Sequence, residues 1–217
     1  MFDPRTHYQN QRVAESYDRE RFSSLAGRLF QRAELLTLRR ALRHIPHDAW
    51  LLDAPCGTGR ISQFLVDSGY RVICADISQE MLEVARNRLS QFNGRVQFSR
   101  GSADALPFAT GSFDVVLSIR FLPHLSADLR QRMLSEMARV SRRWVIVSLS
   151  YSNGWYEARR NVKRWLGHQA PTRYPITEAE LDEDLRAANL QEAKRFWTFR
   201  FASEEVLVLC EKAQIGS

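Results

Sequence analysis

Apolar residues recur at two different spacings along the 217 residues of the chain. From Leu25 to Leu42 they repeat at helical spacing, and residues 1–47 read as a helical preface, with Ser16-Tyr17-Asp18 between two helical stretches. Short apolar runs then follow at 50–54, 70–74, 96–98, 113–118 and 144–149, and each reads as a strand. Helical stretches separate them. One ends at Ser68-Gly69, one covers 79–89 ahead of the Asn93-Gly94 turn, and one runs from about 128 to 138. This alternation signals βαβ units and a mostly parallel sheet.

The tail breaks the rhythm. Thr177-Glu178-Ala179-Glu180 predicts a capping box that opens a helix running to about Ala188, with Asn189 closing it. Two extended runs follow, 194–201 and 205–210, with only Ala202-Ser203-Glu204 between them. Strands joined so closely are antiparallel, because a parallel pair needs a long crossover. The expected architecture is one α/β domain over 1–217, a parallel sheet closed by a terminal antiparallel hairpin.

Residues 151–176 stand apart. Trp155, Val162, Trp165 and Leu166 can share one broad helix face, and Arg159, Arg160, Lys163 and Arg164 flank them against Glu157 alone. The segment reads as a lid, a substrate wall, a partner surface or a membrane-surface helix. The competing structural reading lays it across the sheet edge with its tryptophans in the core.

Composition narrows the picture only slightly. The net charge of +6 comes almost wholly from arginine, which permits anionic partners without demanding them. Cys56, Cys74 and Cys210 match no zinc or redox spacing, and an odd count argues against a disulfide framework. The histidines are scattered, and no metal site is expected. The N-terminal residues carry no long apolar run of the signal-peptide kind, and no segment has the length to cross a bilayer. Cytoplasmic residence is the expectation, with contact at the inner face of a membrane left open.

The chemistry concentrates around residues 48–60, DAWLLDAPCGTGR. An apolar strand ends in Asp53, a glycine turn follows, and a helix starts at Arg60. In open α/β sheets this junction lies where ligands bind. Asp76 ends the second strand about twenty residues on, where an acid can accept both hydroxyls of a ribose. Asp76 can also cap the following helix, and Asp53 can hold the glycine loop through backbone N–H groups. The full dinucleotide pattern G-x-G-x-x-G is missing, and so is a phosphate-loop lysine. The ligand expected is a nucleoside that carries something other than a pyrophosphate.

These segments, with VICADISQEMLEVAR, GSADALPFATGSFDVVLS and FLPHL at matching order and spacing, resemble the class I S-adenosylmethionine-dependent methyltransferases, closest to their small-molecule, type 11-like branch. The resemblance implies a Rossmann-like, seven-stranded, mostly parallel sheet with helices on both faces, and S-adenosyl-L-methionine as cofactor. It implies that Asp53, Ala54, Gly57 and Gly59 shape the pocket for the methionine half. Asp76 would hold the ribose hydroxyls and Ile77 would lie against the adenine. Ser102, Ala103 and Asp104 would face the adenine edge, and Ile119 and Arg120 would border the sulfonium and the acceptor. Tyr17 would close over the amino-acid end. Pro55 stands where relatives often have glycine, and Ser102 where they commonly carry an aspartate.

Methyl transfer from a sulfonium needs alignment and dryness more than acid–base machinery. His124 is the candidate base beside the acceptor, or else a histidine that pins its loop. Arg120 either steers an anionic acceptor or pairs with a surface acid. Tyr151, Asn153 and Tyr156 follow the fifth strand and are placed either at the acceptor pocket or in an ordinary loop. The acceptor expected is a small or lipid-like molecule. An RNA or protein methyltransferase, and a regulatory scaffold that keeps the cofactor site, are the alternatives.

Overall fold

A computed structural model describes residues 23–152, 154–165, 174–199 and 203–213. Helix α1 (Leu25–Leu42) opens at Ser24, whose side chain accepts the Gly27 N–H at 3.0 Å. That bond satisfies one of the donors that every helix start leaves unpaired. Strand β1 (Trp50–Asp53), helix α2 (Arg60–Asp67), β2 (Arg71–Asp76), α3 (Gln79–Leu89), β3 (Val96–Arg100) and β4 (Phe113–Ser118) follow. Helix α4 (Ala127–Val140) runs directly into β5 (Ser141–Ser150). Then come α5 (Gly154–Trp165), α6 (Glu178–Ala187), β6 (Leu190–Trp197) and β7 (Glu205–Lys212).

The seven strands form one sheet in the order β3-β2-β1-β4-β5-β7-β6. The first five run parallel to one another, and β7 runs antiparallel to both β5 and β6. This is the parallel sheet with a terminal hairpin that the sequence pattern predicts, in the seven-stranded Rossmann-like form that the resemblance implies. The chain winds outward from β1 to β3, then returns to place β4 on the other side of β1. That reversal is a topological switch point, and ligands of such sheets bind outside the carboxyl ends of the strands there.

Alternating side chains feed two cores, one on each face. Leu52, Val116, Val145, Val147, Val206 and Val208 pack with Met133, Leu134 and Met137 of α4 and with Leu181 and Leu185 of α6. Leu51, Val115, Leu117, Ile146, Leu207 and Leu209 pack with Leu38 and Ala41 of α1, Ile61 and Leu65 of α2, and Leu82 of α3. The capping box at Thr177 and Glu180 is present and starts α6.

One element differs from the sequence expectation, and a second decides against one of two competing readings. Strand β6 starts at Leu190, well ahead of residue 194, because Asn189 takes a left-handed φ of 53° and turns the chain straight from α6 into the sheet. A register shift between Glu192 and Lys194 breaks the period-two pattern there, which hides the start of the strand. In α5 the tryptophans stay out of the core: Trp155 is 63% exposed and Trp165 85%. The residue that enters is Tyr156, 1% exposed, its ring stacked on Trp197 at 6.3 Å between centroids.

Candidate active site

The loop after β1 is shaped by its glycines, each for its own reason. Gly57 has φ 53°, and a Cβ there would meet no atom within 4 Å, so the space beside the loop is open to a ligand. Gly59 has φ 75° and caps α2 in the left-handed region. A Cβ on it would lie 3.0 Å from the Ala85 Cβ, so this glycine lets α2 approach α3. The Gly57 N–H donates to Asp76 Oδ2 at 2.8 Å, and the Ser78 N–H donates to Asp76 Oδ1 at 2.9 Å. Asp76 thus ties the glycine loop to the end of β2, a role expected of Asp53, while the cap of α3 is Ser78, whose side chain accepts the Met81 N–H at 3.1 Å.

A cleft opens at the carboxyl ends of β1, β2 and β4. Its polar wall includes Asp53, Gly57, Arg60 and Asp76, and Ile77 and Met81 continue it along the start of α3. Ser102, Ala103 and Asp104 border it after β3, with the Ser102 hydroxyl donating to the Asp104 carboxylate. Opposite chemistry comes from the segment after β4 and from α4: Ile119, Phe121, Leu125, Leu129 and Met133 make an apolar wall, and His124 stands among them.

Burial controls the ionisable groups here. It pushes the Asp53 carboxyl up to about 7, against the opposing hydrogen bond that Ser62 Oγ donates at 2.6 Å. Burial also raises Asp76, while the backbone N–H groups of Ser78 and Gly57 pull the other way. The Cys56 thiol is held well above its ordinary range by a hydrogen bond with Cys74 and by burial. A thiol so held is no nucleophile at neutral pH, although Cys56 lines the cleft.

A buried ion cluster braces the polar wall. Glu34 of α1 is only 2% exposed, and its two oxygens take Arg60 Nη2 at 2.7 Å and Arg120 Nε at 2.5 Å. Burial alone would raise the Glu34 carboxyl, but the two guanidinium groups hold it below its ordinary value. Arg120 also lies 3.7 Å from Glu205 Oε1 and over the Phe30 ring at 4.8 Å from its centroid. Its backbone has φ 65°, and its N–H donates to Ser148 Oγ at 2.5 Å. Arg120 therefore lines the cleft and pairs with an acid, as one sequence reading expected, but with a buried acid on the helical preface and not a surface one.

Of the other residues expected at the site, Asp53, Gly57, Asp76, Ile77, Ser102, Ala103, Asp104, Ile119 and His124 all lie on the cleft wall. Ala54, Gly59 and Tyr151 do not. Ala54 is packed in the core, and its N–H donates to Leu117 O at 3.0 Å. Tyr151 turns the other way: its hydroxyl donates to Glu178 Oε2 at 2.9 Å and its ring meets Trp197 edge-on. Burial pushes the Tyr151 phenol up, and Glu178 adds to it, so it is no base. Tyr156 supports α5 from within. Tyr17 and Asn153 lie outside the described residues. Sequence reading missed Glu34, Leu129 and Met133. A lone acid on the buried stripe Thr37, Leu38 and Ala41 is the signal that marks Glu34.

Comparison with known proteins adds a family. Residues 51–143 match the family described as "Methyltransferase domain". A demethylmenaquinone methyltransferase of Clavibacter sepedonicus is 47% identical over 66 residues, 30% of this chain and 26% of that protein. Methyltransferase GfsG of Streptomyces halstedii is 37% identical over 95 residues, 42% of this chain and 34% of that one. The matches thus span only about a quarter to a third of these relatives' own lengths. Among solved structures, the magnesium protoporphyrin IX methyltransferase (ChlM) of Synechocystis PCC 6803, with bound SAH, superposes with a TM-score of 0.73 over 94% of this chain and 98% of its own, at 16% identity. At that identity the likeness concerns the fold. Residues 51–143 thus match a methyltransferase domain by sequence, and the chain shares the fold of that solved methyltransferase.

Proposed function

We propose that the cleft binds S-adenosyl-L-methionine and that the chain transfers its methyl group to a small, apolar acceptor. The observation that carries this reading is Asp76. It is a buried carboxylate at the carboxyl end of β2, beside the switch point, on the wall of a cleft that the Gly57 loop leaves open. Such an acid accepts paired ribose hydroxyls. Ile77 offers an apolar face to a purine, and Ser102 with Asp104 offers polar atoms at its edge. The residues present therefore fit the cofactor. When bound, it supplies an activated methyl group on a sulfonium.

The protein's own part is placement. Backbone groups of the Gly57 loop and the Asp53 carboxyl border the space for the amino-acid portion. Phe121, Leu125, Leu129 and Met133 make the acceptor wall, excluding water and favouring an apolar molecule. This agrees with the small-molecule acceptor named for the Clavibacter relative. His124 is positioned on that wall to take a proton from an acceptor hydroxyl or amine. An acceptor that loses no proton has no need of it.

Calorimetric titration with S-adenosylhomocysteine tests the reading. The wild type binds, and Asp76→Ala binds at least tenfold more weakly, since a hydrogen bond to a charged group is worth about 1.5–3 kcal/mol. Absence of binding, or equal affinity in the variant, overturns it.

A further inference from the structure

We propose that α5 is a docking helix for the surface of a bilayer rich in anionic lipid. The helix advances about 100° per residue, so Trp155, Ala158, Val162 and Trp165 fall within one sector of ~80°. All four are exposed, with Trp155 at 63%, Val162 at 55% and Trp165 at 85%. This is a continuous apolar stripe, and it faces away from Tyr156, the residue that anchors the helix to the protein. Single exposed apolar residues are ordinary, but a stripe along three turns built on two tryptophans is not.

Charge chooses the occupant. The same helix carries Arg159, Arg160, Lys163 and Arg164 against Glu157 alone. On the same advance Arg160 and Arg164 fall roughly opposite the stripe, and a cationic side across from an apolar side with tryptophans is the pattern that lies in the headgroup region of anionic membranes. A second copy would bring a helix of the same positive net charge alongside this one, which disfavours it. Nucleic acid would use the tryptophans for stacking, but Ala158 and Val162 between them offer no stacking face, whereas acyl chains accept all four. At 12 residues the helix is about 18 Å long, too short to span a bilayer and suited to lie along one. Among the described residues no helix is long and apolar enough to cross a membrane.

The helix sits where such docking would serve the cleft. It leaves the carboxyl end of β5, the same edge of the sheet on which the cleft opens. The returning chain is tied back there, with Ser152 N–H donating to Ile176 O at 2.8 Å and Tyr174 N–H to Pro123 O at 2.7 Å. Pro123 adjoins His124 of the acceptor wall. Delivery of a lipid-like acceptor to that wall rests on the function proposed above, whereas the docking itself does not.

The test is sedimentation with vesicles of equal parts phosphatidylcholine and phosphatidylglycerol, with the double variant Trp155→Ala, Trp165→Ala and with pure phosphatidylcholine vesicles alongside. The wild type sediments with the anionic vesicles, its tryptophan emission is quenched by brominated acyl chains, and affinity falls at least tenfold in the double variant and on neutral lipid. The quenching needs no variant, so it stands if the variant fails to fold. A wild type that stays in the supernatant, or a variant that binds equally, overturns the proposal. Tryptophan-dependent binding to single-stranded RNA without vesicle binding overturns it in favour of nucleic acid. Tryptophan-dependent doubling of mass in sedimentation equilibrium overturns it in favour of a second copy. Titration of S-adenosylhomocysteine into both proteins separates the two readings, since the exposed tryptophans do not line the cleft and cofactor-product affinity is unchanged when docking is lost.

Discussion

Gly59 and Asp53 show how single positions near one motif carry different burdens. Gly59 combines a left-handed backbone with a Cβ position 3.0 Å from the Ala85 Cβ and 3.2 Å from the Ala85 Cα. Gly59→Ala therefore meets backbone strain and a clash that no flexible side chain can relieve, together about 2–4 kcal/mol. Urea unfolding of the variant measures it, and Gly57→Ala, whose Cβ meets nothing, costs less. Asp53 makes stability depend on pH. Its carboxyl rises from the ordinary 3.8 to about 7 on folding because burial disfavours the charge. The folded protein then holds the extra proton between these values, so this contribution is complete below 3.8 and lost as pH rises through about 7. Asp53→Asn keeps an acceptor for Ser62 Oγ and has nothing to ionise. Its stability relative to the wild type increases from pH 5 to pH 8, read from denaturant midpoints at each pH.

Between elements, the buried acid of α1 has the widest reach. Glu34 joins α1 to the first residue of α2 and to the segment after β4. Removing it takes the nearest anion from two largely buried guanidinium groups, with Glu205 left 3.7 Å from Arg120. Glu34→Ala costs roughly 3–5 kcal/mol, the penalty for removing one partner of a buried ion cluster, and lowers Tm by roughly 10 °C. Glu34→Gln retains acceptor and shape and loses less. Calorimetric melting of both variants gives the comparison, and equal melting of Glu34→Ala and wild type would deny the cluster its bracing role. A second buried pair, Arg130 Nε to Asp184 Oδ2 at 2.5 Å, fastens α4 to α6 on the opposite face. Arg130 and Asp184 lie 54 residues apart in sequence.

For the whole molecule, the sheet order sets what each part of the chain can reach. The hairpin does more than finish the sheet: β7 covers the edge of β5 along its length and brings Glu205 beside Arg120. A chain ending at residue 189 leaves β5 with an unpaired apolar edge, and such edges recruit other chains. That truncation is expected to move the protein from the soluble to the insoluble fraction on expression. The order also places the switch point, and with it the cleft, between β1 and β4.

Much of this was legible along the chain. The five parallel strands, the carboxylates ending β1 and β2, the glycine turn and the Thr177 capping box depend on neighbours within a few residues, and local periodicity and turn chemistry reveal such features. The parallel character of five strands followed from βαβ alternation but their order did not, and the start of β6 was obscured by its bulge. What only the tertiary structure decided are the meetings between distant side chains. Glu34 lies 86 residues from Arg120, Tyr151 turns to Glu178 and away from the cleft, and Leu129 and Met133 of a helix beyond β4 join the apolar wall of the cleft. The tryptophans of α5 remain outside the core for the same reason. Periodicity states that a face is apolar, but which neighbour covers it, or whether none does, depends on how the layers pack around the sheet.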